Sequence, residues 1–186
     1  MAKLAATPGQ TVGPFFGYAL PYEGGDRLVD RTHPAAVRLY GTMVDGKGTP
    51  IPDALIEVWQ ADEHGAVSSA EGSLKRDGYT FTGFGRTAVD DNGMFSFTTV
   101  EPGATEEDSL PFFVLTVFAR GLPDRVYTRA YLPEHRDRVA TDRFLATLCD
   151  RASTLFARRD ERGDLRFDIA MQGEHETVFI DYAAKG

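Results

Sequence analysis

The chain has 186 residues, 42% of them hydrophobic, which is enough for one domain with a sizeable core. A formal net charge of -8 at pH 7 excludes a global basic footprint for nucleic acid or an anionic membrane surface, so an anionic ligand must meet a local positive site. Cys149 is the single cysteine, which excludes an intrachain disulfide and favours a cytoplasmic setting over a secreted one.

Met1 to Gly9 has too little apolar character for a signal peptide, and no stretch approaches a transmembrane span. From Pro8 the chain reads P-G-Q-T-V-G-P-F-F-G-Y-A-L-P-Y-E-G-G-D, where glycine and proline recur too often for a helix. Val12, Phe15, Phe16, Tyr18 and Tyr22 are interleaved among them, so this irregular arm is expected to lie on a protein surface, with a partner chain favoured.

From Ala36 the spacing predicts two strands around Asp45-Gly46-Lys47-Gly48, the second running through Ala54, Ile56 and Val58 with Trp59 in the core. A polar, turn-rich stretch follows to Thr82, then a second strand pair around Asp91-Asn92-Gly93. Leu110 to Phe118, L-P-F-F-V-L-T-V-F, carries no charge and predicts a central strand that is apolar on both faces. Such a strand must be covered twice, once by its own chain and once by a further layer or a partner.

In R-V-Y-T-R-A-Y-L, alternation puts Arg129 on the same face as Tyr127 and Tyr131. Pro133 to Cys149 has the spacing of one short amphipathic helix, and a last hairpin turns near Gly163 before V-F-I-D-Y. These elements predict an all-β fold, a β-sandwich with an irregular N-terminal arm (1–35), a sandwich body (36–186) and one helical insertion in the C-terminal third, all in a single domain.

No motif here performs chemistry unaided. His33, His64, His135 and His175 are scattered without metal-ligand spacing. Gly83-Phe84-Gly85-Arg86 lacks the helix that would complete a phosphate loop, and Asp90-Asp91-Asn92-Gly93 lacks the spaced acids of a calcium loop.

Longer stretches add a resemblance. T-P-G-Q-T-V-G-P-F-F, P-I-P-D-A-L-I-E-V-W-Q-A-D, G-F-G-R-T, V-F-A-R-G, T-R-A-Y and R-F-D-I-A-M-Q-G-E-H-E-T-V-F-I-D-Y resemble the intradiol ring-cleaving dioxygenases, and within them the α chains of protocatechuate 3,4-dioxygenases. The likeness covers nearly the whole chain. It implies a mixed β-sandwich, a protomer of α and β chains built into a larger hetero-oligomer, and cleavage of protocatechuate by O2 to 3-carboxy-cis,cis-muconate in aromatic (β-ketoadipate) catabolism. In the family's β chain a non-haem Fe(III) is held by two tyrosines and two histidines. Here the histidine positions fall on Phe112 and Val114 and the tyrosine positions near Val67 and Thr105, so the resemblance implies an iron site on the partner and none on this chain.

The same resemblance points to Thr11, Pro14 and Arg129 as this chain's wall of the substrate pocket. A flat catechol with a carboxylate needs a cation or donors at its far end and apolar walls beside the ring, which those residue types supply. Two other readings stay open from the fold alone: a non-enzymatic β-sandwich binding module, and a self-sufficient catechol dioxygenase, which the missing ligands oppose.

Overall fold

A computed structural model describes residues 16–69, 77 and 80–182. Alternating apolar residues form strands β1 (Val37–Val44), β2 (Leu55–Trp59), β3 (Phe84–Ala88), β4 (Met94–Thr99), β5 (Phe112–Phe118) and β6 (Val126–Tyr131). Three two-residue strands follow: β7 (Arg158–Arg159), β8 (Leu165–Arg166) and β9 (Ile169–Ala170). They make two sheets. The first has the order β4-β1-β8-β7 with β9 also on β1, and the second the order β3-β2-β5-β6.

The second sheet is antiparallel throughout, whereas β8 and β9 run parallel to β1, so the sandwich is mixed as expected. Between β8 and β9 the chain bulges against Gly41, where a Cβ would stand 1.8 Å from the Phe167 carbonyl oxygen. Only glycine permits that approach. Leu39, Met43, Phe95, Phe97, Leu165, Phe167 and Ile169 of one sheet meet Ile56, Val58, Phe113, Leu115, Val117 and Ala130 of the other in one buried cluster.

Four loops share the pattern Asp-x-x-Gly-x, at Asp45, Asp62, Asp90 and Asp160. In each, one aspartate oxygen accepts the N–H groups two and four residues on. The glycines take positive φ, from 72° at Gly93 to 87° at Gly163. The turns are thus as the sequence suggests, but the pairing at two of them is not. β1 and β2 do not form a hairpin around Asp45, nor β3 and β4 around Asp90, because in both cases the turn carries the chain from one sheet to the other. Only the Asp160 loop joins adjacent paired strands, β7 and β8, near Gly163 as expected.

The expected helix from Pro133 to Cys149 is instead a series of 3-10 segments, Pro133–Thr141, Leu145–Thr147 and Cys149–Leu155. Asp142 breaks the run with extended backbone (φ -87°, ψ 122°), and Cys149 turns it with φ 51°. These segments build a second core, in which Leu145, Ala152, Leu155 and Phe156 pack with Leu110, Tyr131 and Val178. A single turn of α-helix, α1 (Phe16–Ala19), forms in the arm where none was expected, and it buries Phe16 against Phe118 with ring centroids 6.3 Å apart.

Candidate functional site

The two outer faces of the sandwich differ. On the first sheet Arg38 lies over Tyr40 and donates to Ser96, Tyr40 donates to Asp160, and Arg158 and Arg166 both reach Asp168, which is a solvated polar surface. On the second sheet, register sets side chains into cross-strand rows: Phe112–Tyr131, then Phe84–Trp59–Val114–Arg129, then Arg86–Glu57–Thr116–Tyr127, then Ala88–Leu55–Phe118. Phe16 covers the last row, and the second core covers the first. Of the two rows between, the one that carries Trp59 is partly open.

Trp59 belongs to that open row and is 48% exposed, so it is not the core residue that the sequence suggested. Its ring leans on Phe84, with centroids 4.5 Å apart. The alternation was read correctly, since Ala54, Ile56 and Val58 are fully buried; what covers the opposite face is not written in the strand itself. The outer face of β5 is covered in part by this chain, with Thr116 buried there. Phe113, Leu115 and Val117 face the core, while Phe112, Val114 and Phe118 keep some exposure.

Arg129 stands where the open row meets the second core. Its guanidinium carbon lies 4.1 Å from the centre of the Phe112 ring and 5.0 Å from that of Phe144, and Nη1 donates to the Tyr131 phenol oxygen at 3.1 Å. Both rings offer their π electrons to the cation. Among the described residues no carboxylate pairs with Arg129, and its buried Nε has no hydrogen-bond partner. Burial pulls the guanidinium's pKa down, but the Tyr131 and Tyr182 phenols outweigh it, and the group stays charged. A half-buried cation with no carboxylate partner among the described residues has the charge to attract an anion.

Tyr131 is fully buried and remains a neutral phenol, because burial pushes its pKa from 10.0 up to about 12 against the opposing pull of Arg129. Below pH 10 folded and unfolded chains both hold the proton; between 10 and 12 only the folded chain does, so stability falls as pH rises through that window. We expect the wild-type unfolding free energy to drop by about 1 kcal/mol more than that of Tyr131→Phe between pH 9 and pH 11, measured by urea denaturation at each pH. Equal slopes in the two proteins would refute the shift.

Arg86, in the Gly83-Phe84-Gly85-Arg86 stretch, has a structural task. It pairs with the Glu57 carboxylate at 2.6 Å and donates to the Leu20 carbonyl at 3.1 Å, tying the residues after α1 to the second sheet. Gly85 lies where a Cβ would be 2.5 Å from Leu28 Cδ1, so that glycine serves packing and not phosphate.

Thr11 and Pro14 lie outside the described residues. Of the four positions that match the family's iron ligands, Phe112 and Val114 lie in adjacent rows of β5, one beneath the Arg129 guanidinium and the other beside it in register. Val67 is 72% exposed and Thr105 is exposed, on two loops joined by the hydrogen bond from Gly103 N–H to the Asp62 carbonyl. A phenyl ring, two isopropyl groups and one neutral hydroxyl do not match the anionic oxygen and imidazole donors that ferric iron prefers, and the neighbouring guanidinium would repel it. Among the described residues no group of three or more His, Cys, Asp or Glu side chains could hold a metal ion. These residues do not fit the family's iron.

The family model described as Dioxygenase matches residues 12–116. The protocatechuate 3,4-dioxygenase α chain of Burkholderia cepacia is 35% identical over 198 residues, covering 97% of this chain and 100% of that one. The chain belongs to the intradiol dioxygenase family. The corresponding α chain of Pseudomonas putida is 34% identical over 200 residues, covering 96% of this chain and 98% of its own. Among solved structures, the dioxygenase domain of a dioxygenase carbohydrate-binding protein fusion from Streptomyces sp. SirexAA-E superposes with a TM-score of 0.61 at 24% identity, over 91% of this chain and 99% of that domain, a likeness of fold. End-to-end similarity to α chains makes this an α-type member of the family, and leaves a stand-alone binding module without support.

Of the residues around Arg129, the sequence singled out Tyr131 and Phe112 but not Phe144. Tyr131 was legible as a neighbour on the same strand face. Phe144 comes from a segment remote in sequence, and no local pattern connects it to Arg129.

Proposed function

We propose that this chain is the iron-free α subunit of a protocatechuate 3,4-dioxygenase and forms one wall of a substrate pocket whose non-haem Fe(III) is held by a β chain. Arg129 meets the carboxylate of protocatechuate at the end of the ring remote from the reacting hydroxyls, with Thr11 and Pro14 completing this chain's side. The half-open row of Phe84, Trp59, Val114 and Arg129 adjoins the partner, and α–β protomers associate further into a hetero-oligomer. The complex opens the ring with O2 to 3-carboxy-cis,cis-muconate in the cytoplasm; among the described residues no helix is long and apolar enough to cross a membrane.

The observation that carries this reading is the pairing of opposites at one place. The ligand positions on β5 hold side chains without metal-binding donors, Phe112 and Val114, while the adjacent Arg129 is a cation with no carboxylate partner among the described residues. A chain that had simply lost its site has no need of an unneutralised half-buried cation there, since burying one without a partner is costly.

The test is purification of this polypeptide alone and after co-expression with a β-type chain. Alone, it should be colourless, iron-free and inactive on protocatechuate; the pair should co-purify, carry iron and consume O2 with protocatechuate. A stoichiometric ferric site with a tyrosinate charge-transfer band in the lone chain would refute the reading, as would a β-type chain that is fully active without this one.

A further inference from the structure

We propose that Tyr131 is the positioning residue for the anion receptor: its buried phenol oxygen holds Arg129 Nη1 and fixes the guanidinium between the Phe112 and Phe144 rings, so that the remaining donors are preset for a carboxylate. This rests on the assignment of Arg129 to the substrate carboxylate.

The geometry requires such a residue. An arginine side chain has several rotatable bonds, and fixing one rotamer-rich side chain on binding weakens affinity roughly two- to tenfold, which preorganisation avoids. The aromatic rings at 4.1 and 5.0 Å hold the guanidinium between them but do not set its rotation in its own plane, because cation–π attraction has little directional preference there. A hydrogen bond does set it. Nη1 donates to Tyr131 at 3.1 Å, and the Tyr182 phenol also interacts with the guanidinium; Tyr131 sits on the same strand, two residues on, where the pleat places both side chains on one face.

Tyr131 is itself immobile. Its ring lies 5.4 Å from that of Phe112 and 5.7 Å from that of Phe156, and its backbone carbonyl accepts the Ala157 N–H at 2.9 Å. A neutral acceptor also suits the task better than a carboxylate would. Aspartate or glutamate in that place would neutralise Arg129 and compete with the ligand, whereas a phenol orients the cation and leaves its charge available.

The experiment uses the assembled α–β enzyme with Tyr131→Phe, Arg129→Ala and the double variant. Phenylalanine keeps the ring between Phe112 and Phe156 and removes only the oxygen. KM for protocatechuate should rise about three- to tenfold in Tyr131→Phe with kcat unchanged, the range set by the cost of ordering one rotamer-rich side chain on binding. Both constants for catechol, which has no carboxylate, should stay as in the wild type. The double variant should be no worse than Arg129→Ala, because a positioning residue has nothing left to position.

Unchanged KM in Tyr131→Phe, with a raised KM in Arg129→Ala, would overturn the positioning role alone. Unchanged KM in Arg129→Ala would instead overturn the parent assignment. Additive losses in the double variant, impaired catechol turnover, or loss of iron or assembly in Tyr131→Phe would reduce Tyr131 to a core residue and equally overturn the proposal.

Discussion

Arg129→Ala in the assembled enzyme is expected to raise KM for protocatechuate ten- to a hundredfold. The chemistry of the contact sets the size of the effect. A hydrogen bond involving a charged group is worth about 1.5–3 kcal/mol, and each 1.4 kcal/mol is a factor of ten in affinity. Arginine suits the site better than lysine because its planar fork can grip a carboxylate with two N–H groups and its charge survives partial desolvation. Lysine would also lose the broad face that lies over Phe112 and against Phe144, so Arg129→Lys should recover little.

Catechol supplies the control. With no carboxylate it cannot lose the contact, and its turnover should change little in the same variant. An Arg129→Ala enzyme that keeps its iron, its oligomer and unaltered kinetics for protocatechuate would show that the residue only fills the surface. A loss of equal size on both substrates would point to damage at the interface and would likewise exclude the carboxylate contact.

The sequence exposed the layers of this fold more readily than their connections. Strand alternation picked out Ala54, Ile56 and Val58, which are buried, because period-two burial is local; in β5, apolar on both faces, it did not distinguish Phe113, Leu115 and Val117, which face the core. Strand partners were less legible. The Asp-x-x-Gly-x turn at Asp160 closes a hairpin, yet the same turn at Asp45 and at Asp90 passes the chain between sheets, so turn chemistry sets the reversal and long-range packing sets the partner.

The candidate site divides in the same way. Arg129 and Tyr131 share a strand face by alternation, and Phe112 and Val114 stand out because the resemblance assigns ligand positions to them. Trp59 was misjudged since its environment depends on what lies over the sheet, which a strand's own pattern does not encode. The 3-10 segments were misread as one helix because their apolar spacing suits either; the break at Asp142 is caused by its side chain, which competes for the backbone around it.

That side chain should be the most stability-critical polar group beside the site. Asp142 is 2% exposed, and its carboxylate accepts three backbone N–H groups: Leu110 at 3.1 Å, Phe144 at 3.0 Å and Leu145 at 2.9 Å. It therefore ties the chain just before β5 to the segment that places Phe144 against Arg129. Asp142→Ala would leave those N–H groups without their acceptor inside the second core, at about 1–3 kcal/mol for a buried unsatisfied group. The three losses share one carboxylate and do not add in full, so a destabilisation of about 3–5 kcal/mol is expected by urea unfolding. Asp142→Asn keeps one oxygen and turns an NH2 toward a former donor, so it should lie between Ala and wild type. Because Phe144 loses its anchor, a surviving Asp142→Ala enzyme should also bind protocatechuate more weakly while its catechol kinetics change less. A stability within 1 kcal/mol of wild type would mean that water replaces the carboxylate at all three N–H groups, and the second core would then not depend on it.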